Sequence, residues 1–216
     1  FSIDAGTTLG LVGESGCGKS TIGRQIVRLE KPTSGSIRFD GLELTHAKAR
    51  ALKEVRTQLQ MVFQDSYSSL NPKKHVFQIL ADPIVYHGLA SRRTVEQEVD
   101  RLLDLVGMPK SAKNRYPHEF SGGQRQRIAI AKALSLRPRL IVCDEPVSAL
   151  DVSIQAQIVL LMMRLQQEQN LTYVFIGHDL SVVRYISDYV GVMYLGKIME
   201  LTSSDELYST PLHPYT

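Results

Sequence analysis

The stretch GESGCGKST, from Gly13 to Thr21, most constrains what this chain can fold into. It contains the pattern G-x-x-x-x-G-K-[ST], whose glycines let the backbone fold closely around phosphate groups. The preceding TTLGLVG is typical of a β-strand, and a helix is predicted to begin near Lys19. This strand–loop–helix order favours a phosphate-binding loop over an ordinary glycine-rich turn.

The residues of this loop have separate expected roles. Backbone N–H groups from Gly16 to Thr21 can cradle a β-phosphate, and Lys19 can place its charge on the β- and γ-phosphates. The Ser20 hydroxyl is an expected Mg²⁺ ligand. The expected nucleotide-binding residues are Gly13, Glu14, Ser15, Gly16, Cys17, Gly18, Lys19, Ser20 and Thr21.

A second motif, LIVCDEP, supplies acidic groups. Its apolar residues 140–143 predict a buried strand, which delivers Asp144 and Glu145 at its carboxyl end. Asp144 is expected to bind the metal ion through a water molecule. Glu145 is expected to polarise the attacking water as a general base. Alone, such a pair could merely cap a helix; beside a phosphate loop it supplies the acidic partner that Mg²⁺ needs.

Two further candidates follow predicted core strands. Gln64 ends the apolar-rich segment 59–64, and its amide can reach Mg²⁺ or the attacking water; spacing alone equally allows an exposed polar residue. His178 follows the buried strand predicted at 173–176, and we expect it near the γ-phosphate, where it can distinguish ATP from ADP. Ligands of parallel sheets lie beyond the carboxyl ends of the strands, where these residues fall.

The chain also contains a second anion-binding helix start. Ser121-Gly122-Gly123-Gln124 combines a hydroxyl, two glycines and an amide just before a predicted helix at 124–136. Free N–H groups and the helix dipole favour an anion at such a position. Asp151, in the segment SALD, is another candidate for the nucleotide site; it could equally be the N-cap of the next helix, and both interpretations can hold.

The alternation of strands and helices predicts an α/β fold with a mainly parallel sheet. A small antiparallel β part is expected near the N-terminus, with Asp40-Gly41 as its turn. Residues 66–137 contain no convincing strand and favour helices, with apolar residues at helical spacing within 94–106. We interpret 66–137 as a helical subdomain inserted into an α/β core formed by 1–65 and 138–216, so that 1–216 is a single ATPase domain.

Composition excludes several classes of protein. The 25 Lys and Arg against 22 Asp and Glu give a net charge of only +3, spread along the chain, which does not favour a nucleic-acid surface. Cys17 and Cys143 lack metal-ligand spacing, so a reducing cytoplasm is the default expectation. No apolar run approaches the roughly 20 residues that span a bilayer, so a membrane role is expected through a partner.

The ordered set of motifs resembles the ATP-binding subunits of ABC transporters. The set consists of the phosphate loop, Gln64, Ser-Gly-Gly-Gln, Asp144-Glu145, Ser-Ala-Leu-Asp and His178, and it covers nearly the whole chain. The resemblance implies a P-loop NTPase core and a head-to-tail pair of chains that sandwiches two ATP molecules. Ser121 and the N–H groups of Gly122 and Gly123 would then bind the γ-phosphate held by the partner's loop, which explains the second anion site.

Four stretches resemble more closely the ATP-binding subunits of oligopeptide and dipeptide permeases: QDSYSSLNPKK, RYPHEFSGGQRQRIAIAKAL, DEPVSALDVSIQAQ and the final HPYT. This implies Mg²⁺-dependent ATP hydrolysis that powers peptide import at the cytoplasmic face of a bacterial or archaeal membrane. The implied partners are a second ATP-binding subunit (a related chain or a copy), transmembrane permease subunits and an extracytoplasmic substrate-binding protein, and no nucleic acid. Residues 66–74 would grip the coupling helix of the membrane partner.

The sequence departs from the family pattern in places. Phe120 stands where Leu is usual, and Gly177 where Ser or Thr is usual. The family has an adenine-stacking aromatic residue upstream of the loop, a role that Phe1 is not expected to fill; both ends look cut, and weaker ATP binding is expected. The alternatives are ABC ATPases for another cargo, such as nickel or a glutathione-like peptide, or for DNA or ribosomes. A P-loop kinase or GTPase would lack the Ser-Gly-Gly-Gln helix.

Overall fold

The computed structural model describes residues 1–65, 69–91 and 93–216. Its main sheet consists of β1 (Thr8–Gly13), β4 (Leu59–Val62), β5 (Leu140–Asp144), β6 (Thr172–Ile176), β7 (Tyr189–Tyr194) and β8 (Lys197–Ser203). The strand order is β4-β5-β6-β1-β7-β8, so β1 lies inside the sheet between β6 and β7. All neighbours pair in parallel except β7 and β8, which are antiparallel. The predicted α/β fold with a mainly parallel sheet is confirmed.

A two-stranded antiparallel hairpin forms the predicted small β part. It joins β2 (Arg38–Phe39) to β3 (Leu42–Glu43). The turn residues Asp40 and Gly41 have φ angles of 51° and 76°. Positive φ at both central residues is the geometry of the tight hairpin turn that Asp-Gly favours. The predicted turn is therefore correct.

The α-helices of the described residues are α1 (Lys19–Ile26), α2 (Ala49–Gln58), α3 (Val76–Tyr86), α4 (Val95–Leu105), α5 (Gly122–Leu134), α6 (Val152–Gln169), α7 (Leu180–Ile186) and α8 (Ser204–Ser209). They include those predicted near Lys19, at 76–86, 94–106, 124–136 and 152–169 and after Asp179, whereas α2 and α8 were not predicted. The predicted start of α5 at Gln124 is wrong by two residues, because Ser121 caps the helix and Gly122 already belongs to it. Between β4 and β5, the described residues 63–65, 69–91 and 93–139 form helices and turns and no strand.

β5 and β6 are buried along their whole length, which is why residues 140–143 and 173–176 are apolar on both faces of the sheet. On β5, Ile141 and Cys143 face a core shared with α3 to α6, whereas Leu140 and Val142 face a second core shared with α1. Successive side chains of a strand point to opposite faces of its sheet. The helices between β4 and β5 thus belong to the same core as one face of the sheet.

Gln64 differs slightly from its predicted position. We expected it to end a strand, but β4 ends at Val62, and Gln64 lies two residues further on. It therefore sits in the connection that leaves the sheet, beyond the last backbone pairing of β4 with β5 at Val62 and Cys143. A side chain placed there can reach across the carboxyl ends of the neighbouring strands.

Candidate active site

A cleft of about 400 Å³ lies where β1, β4, β5 and β6 end. It is lined by Gly13, Ser15, Gly16, Gly18, Lys19, Ser20, Thr21, Gln64, Glu145 and His178. The sequence-predicted loop, the amide, the acidic residue and the histidine therefore meet in one place. Glu14 and Cys17, predicted with the loop, are not among the lining residues, and neither is any residue of Ser121–Gln124.

The backbone of the loop requires glycine at its start and at its end. Gly13 has φ 149°, and a Cβ there would lie 2.2 Å from the carbonyl oxygen of Met193 on β7. Gly18 has φ 104° and is the N-cap of α1 in a left-handed conformation. Residues other than glycine rarely adopt such φ angles. The loop can therefore turn sharply from β1 into α1 while it packs against β7.

Lys19 is held inside the loop in this structure. Lys19 is only 6% exposed, and its Nζ donates to the carbonyl oxygens of Gly13 at 2.7 Å and Glu14 at 2.9 Å. A buried ammonium needs such partners because loss of water costs it free energy. Nζ also donates to Cys17 Sγ at 3.7 Å, a weak acceptor that a phosphate oxygen can replace.

The expected metal site is formed by Ser20, which lines the cleft, and Asp144, which is bonded to it but is not a lining residue. The Ser20 hydroxyl donates to Asp144 Oδ1 at 2.8 Å, which joins the first turn of α1 to the end of β5. Burial raises the pKa of Asp144, and the hydrogen bond from Ser20 opposes that rise. Two adjacent oxygen donors, one of them a carboxylate, are the ligand type that Mg²⁺ prefers. The residues present therefore fit this metal.

Glu145 is the centre of a three-residue cluster. Its Oε2 accepts a hydrogen bond from Gln64 Nε2 at 3.0 Å and lies 3.2 Å from His178 Nδ1. The three residues follow β4, β5 and β6, which are adjacent in the sheet. The Glu145 side chain is 20% exposed and that of His178 is 61% exposed. The carboxylate is thus oriented by two neighbours on a wall of the cleft.

The backbone of Glu145 adopts an uncommon conformation. Its φ is 47°, in the left-handed region, while its N–H donates to the carbonyl oxygen of Ile176 at 2.9 Å. Residues other than glycine reach this region only where the surrounding structure enforces it. Here the bond to β6 holds the residue, and the chain then turns sharply away from the sheet.

Ser121–Gln124 forms a capping box at the start of α5. The Ser121 hydroxyl accepts from the Gln124 N–H at 3.3 Å, and Gln124 Oε1 accepts from the Ser121 N–H at 3.1 Å. Both residues are exposed. A capping box satisfies two of the helix donors and leaves the N–H groups of the first two helical residues, Gly122 and Gly123, without an intrahelical partner.

The two glycines of this segment also have a packing role that the sequence analysis missed. A Cβ on Gly123 would lie 2.5 Å from Ile154 Cγ2, and a Cβ on Gly122 would lie 3.1 Å from Leu150 Cδ2. The start of α5 therefore packs closely against Leu150 and the first turn of α6. Close helix approach and anion binding both favour glycine, so the residue type alone does not separate the two causes.

Asp151 occupies the N-cap position of α6, but its side chain makes no capping hydrogen bond. The backbone carbonyl of Asp151 instead accepts from the N–H groups of Ile154 and Gln155. The N-cap prediction is correct for the position and wrong for the side-chain bond. By contrast, the Asp179 carboxylate caps α7 by accepting from Ser181 and Val182. Asp151 is exposed and does not line the cleft.

The back of the phosphate loop is braced by the turn between β7 and β8 and by Tyr215, which the sequence analysis did not foresee. The Gly196 N–H donates to the Cys17 carbonyl at 3.0 Å, and the Glu14 N–H donates to the Tyr215 hydroxyl at 3.2 Å. Tyr215 belongs to the HPYT stretch, whose presence was the only available signal. Nothing local in that stretch indicates a contact with a loop about 200 residues earlier.

Among the described residues, no helix combines the length and the apolar character needed to cross a membrane. Residues 66–68 of the segment predicted to grip a membrane partner lie outside the described residues.

Comparison with known proteins places these features in a family. Residues 1–148 match the family described as "ABC transporter". Over its full length the chain is 60% identical to the oligopeptide transport ATP-binding protein AppF of Bacillus subtilis (strain 168), and 57% identical to OppF of the same organism. It is 55% identical to OppF of Salmonella typhimurium over 98% of its length. The chain spans 66%, 72% and 64% of these three relatives, about two thirds of their length.

Solved structures agree with this assignment. The ATP-binding cassette MJ0796, solved as a dimer in a post-hydrolysis state with ADP and Pi, superposes with a TM-score of 0.84 at 28% identity. That match covers 94% of this chain and 88% of MJ0796. CbiO1 of Clostridium perfringens, part of the ABC transporter complex cbiONQ, superposes with a TM-score of 0.88 at 28% identity, covering 97% of this chain and 82% of cbiO1.

Proposed function

This chain belongs to the ABC transporter family of ATP-binding cassettes, and on that premise we propose that it hydrolyses ATP to power peptide import through separate membrane subunits. One observation carries the ATPase part of the proposal. The phosphate loop, the Ser20–Asp144 pair and the Gln64–Glu145–His178 cluster line or border a single cleft at the carboxyl ends of adjacent strands. This is where the reacting groups of a phosphoryl transfer must converge.

Binding of ATP would use the loop backbone and Lys19. The N–H groups from Gly16 to Thr21 take the phosphates, and the Lys19 ammonium, already fixed by two carbonyl oxygens, adds positive charge beside the β- and γ-phosphates. Ser20 and Asp144 would hold Mg²⁺, which neutralises phosphate charge when bound. Glu14, Cys17 and Asp151, predicted with the binding residues, remain predictions; none of the three lines the cleft.

Hydrolysis would use Glu145 as the general base. A water oxygen attacks the γ-phosphorus, the bond from that phosphorus to the β–γ bridging oxygen breaks, and Glu145 takes a proton from the water. Gln64 and His178 orient the carboxylate through its Oε2. His178, whose side chain is 61% exposed, would meet the γ-phosphate and so register its loss.

The Ser121–Gln124 segment would serve the nucleotide of a second subunit. Its end residues Ser121 and Gln124 are exposed, and none of its residues lines the cleft of its own chain. The Ser121 oxygen accepts a capping bond from Gln124, which leaves its proton available for a phosphate oxygen. The N–H groups of Gly122 and Gly123 and the helix dipole add to this attraction. Hydrolysis removes the shared γ-phosphate and allows the two subunits to separate.

Peptides are the proposed cargo because AppF and OppF are oligopeptide transport proteins by name. The proposed partners are a second ATP-binding subunit, transmembrane permease subunits and, indirectly, an extracytoplasmic substrate-binding protein, with no nucleic acid among them. We place the chain at the cytoplasmic face of a bacterial or archaeal membrane, as a peripheral subunit. Residues 66–74 remain the predicted contact with the permease.

Light scattering of a Glu145→Gln variant tests the ATPase proposal. This change removes the base while an amide oxygen can still accept hydrogen bonds, so ATP binding is retained and hydrolysis stalls. We expect the mass to double on addition of millimolar Mg-ATP. The control variant Glu145→Gln/Ser121→Arg should bind ATP and stay monomeric, because the arginine fills the space for the partner's phosphate.

Each alternative result has a clear meaning. A Glu145→Gln variant that turns over ATP at the wild-type rate would remove Glu145 as the base. Loss of ATP binding by the monomeric Ser121→Arg control would contradict the cross-chain role of this segment. If both the Glu145→Gln variant and the Glu145→Gln/Ser121→Arg control bind ATP and stay monomeric, the second subunit is a different chain. Peptide-stimulated ATP hydrolysis, measured with permease subunits in vesicles, tests the cargo.

A further inference from the structure

Residues 210–216 form a strap that folds back over β7 and β8. Glu200 of β8 holds it: the carboxylate accepts from the backbone N–H of Leu212 at 2.9 Å and of His213 at 3.1 Å. Glu200 is only 9% exposed. The side chain of Thr216 is the largest cause of its lowered pKa, followed by the Leu212 N–H. The strap is therefore fastened to the sheet through one enclosed carboxylate.

The strap fixes the position of the Tyr215 ring. The Tyr215 N–H donates to His213 Nδ1 at 3.1 Å, and the Thr216 N–H donates to the His213 carbonyl at 2.9 Å. The Tyr215 ring also packs on Tyr194 of β7, with centroids 4.6 Å apart and planes tilted by 42°. Aromatic pairs at this separation attract each other. The Tyr215 hydroxyl consequently points at the phosphate loop from behind.

One peptide group joins this hydroxyl to Lys19. The N–H of the peptide unit between Gly13 and Glu14 donates to the Tyr215 hydroxyl at 3.2 Å. The carbonyl of the same unit accepts from Lys19 Nζ at 2.7 Å. Hydrogen bonds at the two ends of a peptide group polarise and orient each other. The orientation of that group therefore depends on both the strap and the lysine.

We propose that Tyr215 is a positioning residue for the nucleotide site, which holds the first peptide of the phosphate loop in the shape that receives ATP. The inference rests on the proposed function. Tyr215 does not line the cleft, so it acts through the loop and not on the nucleotide. A loop held in its binding shape before the ligand arrives loses less conformational freedom on binding, which raises affinity.

The variant Tyr215→Phe tests this inference, because it removes the hydroxyl and keeps the ring on Tyr194. We expect the Kd for Mg-ATP, measured by titration calorimetry, to rise about threefold to tenfold, the effect of one lost hydrogen bond. KM for ATP should rise by a similar factor with kcat little changed. The Glu14 N–H should exchange with deuterium faster in the nucleotide-free variant. Glu200→Gln, which weakens the strap, should shift Kd in the same direction.

The matched control is Tyr86→Phe. Tyr86 is 72% exposed, and its hydroxyl has no hydrogen bond among the described residues. The Tyr86→Phe variant should bind Mg-ATP with the same Kd as the wild type. If the wild type binds ATP and Tyr215→Phe binds it equally well, the inference is overturned and the proposed function stands. If the wild type itself does not bind Mg-ATP, both the proposed function and the inference that rests on it are contradicted. A loss of affinity matched by a fall in melting temperature would show general destabilisation instead.

Discussion

Replacement of Gly123 by alanine tests whether the start of α5 is glycine-rich for packing as well as for anion binding. In an ordinary exposed helix this change stabilises by about 0.5–1 kcal/mol, because glycine loses more backbone freedom on folding. Here the new Cβ would lie 2.5 Å from Ile154 Cγ2. Carbon atoms in contact prefer a separation of about 3.5–4.0 Å, so Ile154 or the helix must move by about 1 Å.

The size of the effect follows from these two opposing terms. Overpacking of this kind costs about 1–3 kcal/mol, and the gain in helix propensity returns about 0.5–1 kcal/mol. These ranges leave a net loss of up to about 2.5 kcal/mol in the free energy of unfolding, with a central value of about 1 kcal/mol. For a chain of this length, a loss of about 1 kcal/mol lowers the melting temperature by about 2–4 °C.

Thermal unfolding of the nucleotide-free chain is the assay, in a double-mutant cycle with Ile154→Ala. Once the Ile154 Cγ2 is removed, Gly123→Ala should become stabilising, so the sign of its effect reverses. Gly122→Ala is the matched control: its Cβ would be 3.1 Å from Leu150 Cδ2, the movable end of a side chain, and the cost should be smaller.

A Gly123→Ala chain that melts at or above the wild-type temperature would refute the packing argument. The same conclusion would follow if its effect were unchanged by Ile154→Ala, because coupled residues must show an interaction energy. Anion binding alone would then have to explain the second glycine.

Two further predictions concern Lys19 and Glu200. Lys19→Ala should abolish ATP hydrolysis, measured as phosphate release, while the exposed control Lys197→Ala keeps the wild-type rate; turnover in the first variant would contradict the role of the loop. The pKa of Glu200 is lowered from its ordinary value of 4.5, so the stabilisation it provides is complete above pH 4.5 and is lost as the pH falls through the lowered pKa. The difference in melting temperature between wild type and Glu200→Gln should shrink below pH 4.5, and a difference that is constant with pH would contradict this reasoning.

The parts of the fold that were predictable are those with a strong local signal. Residues 140–143 of β5 and 173–176 of β6 are continuous apolar runs because both faces of these strands are buried. The Asp40-Gly41 turn follows from the positive φ angles that these residues tolerate. By contrast, β7 and β8 went unrecognised. They form an antiparallel pair at the edge of the sheet with a register irregularity between Val192 and Met193, which weakens any alternating pattern.

The site divides in the same way. The meeting of Gln64 with Glu145 could be expected, although 81 residues separate them, because parallel strands deliver their carboxyl ends to one edge. The contact of Tyr215 with the loop depends on how the strap folds over β8, and no local pattern encodes it. The packing of Gly122 and Gly123 against Leu150 and Ile154 was not predictable either. A glycine pair at a helix start is equally consistent with an anion-binding site.

The left-handed backbone of Glu145 has a consequence for how this chain tolerates change. A φ of 47° costs a side-chain-bearing residue of the order of 1–3 kcal/mol, a strain that glycine would not experience. Folding alone would therefore prefer glycine at this position, and selection for thermal robustness would tend to discard the carboxylate. A screen for heat-resistant variants would enrich molecules that are more stable but catalytically inactive. Any such screen on this chain therefore has to select for ATP turnover at the same time.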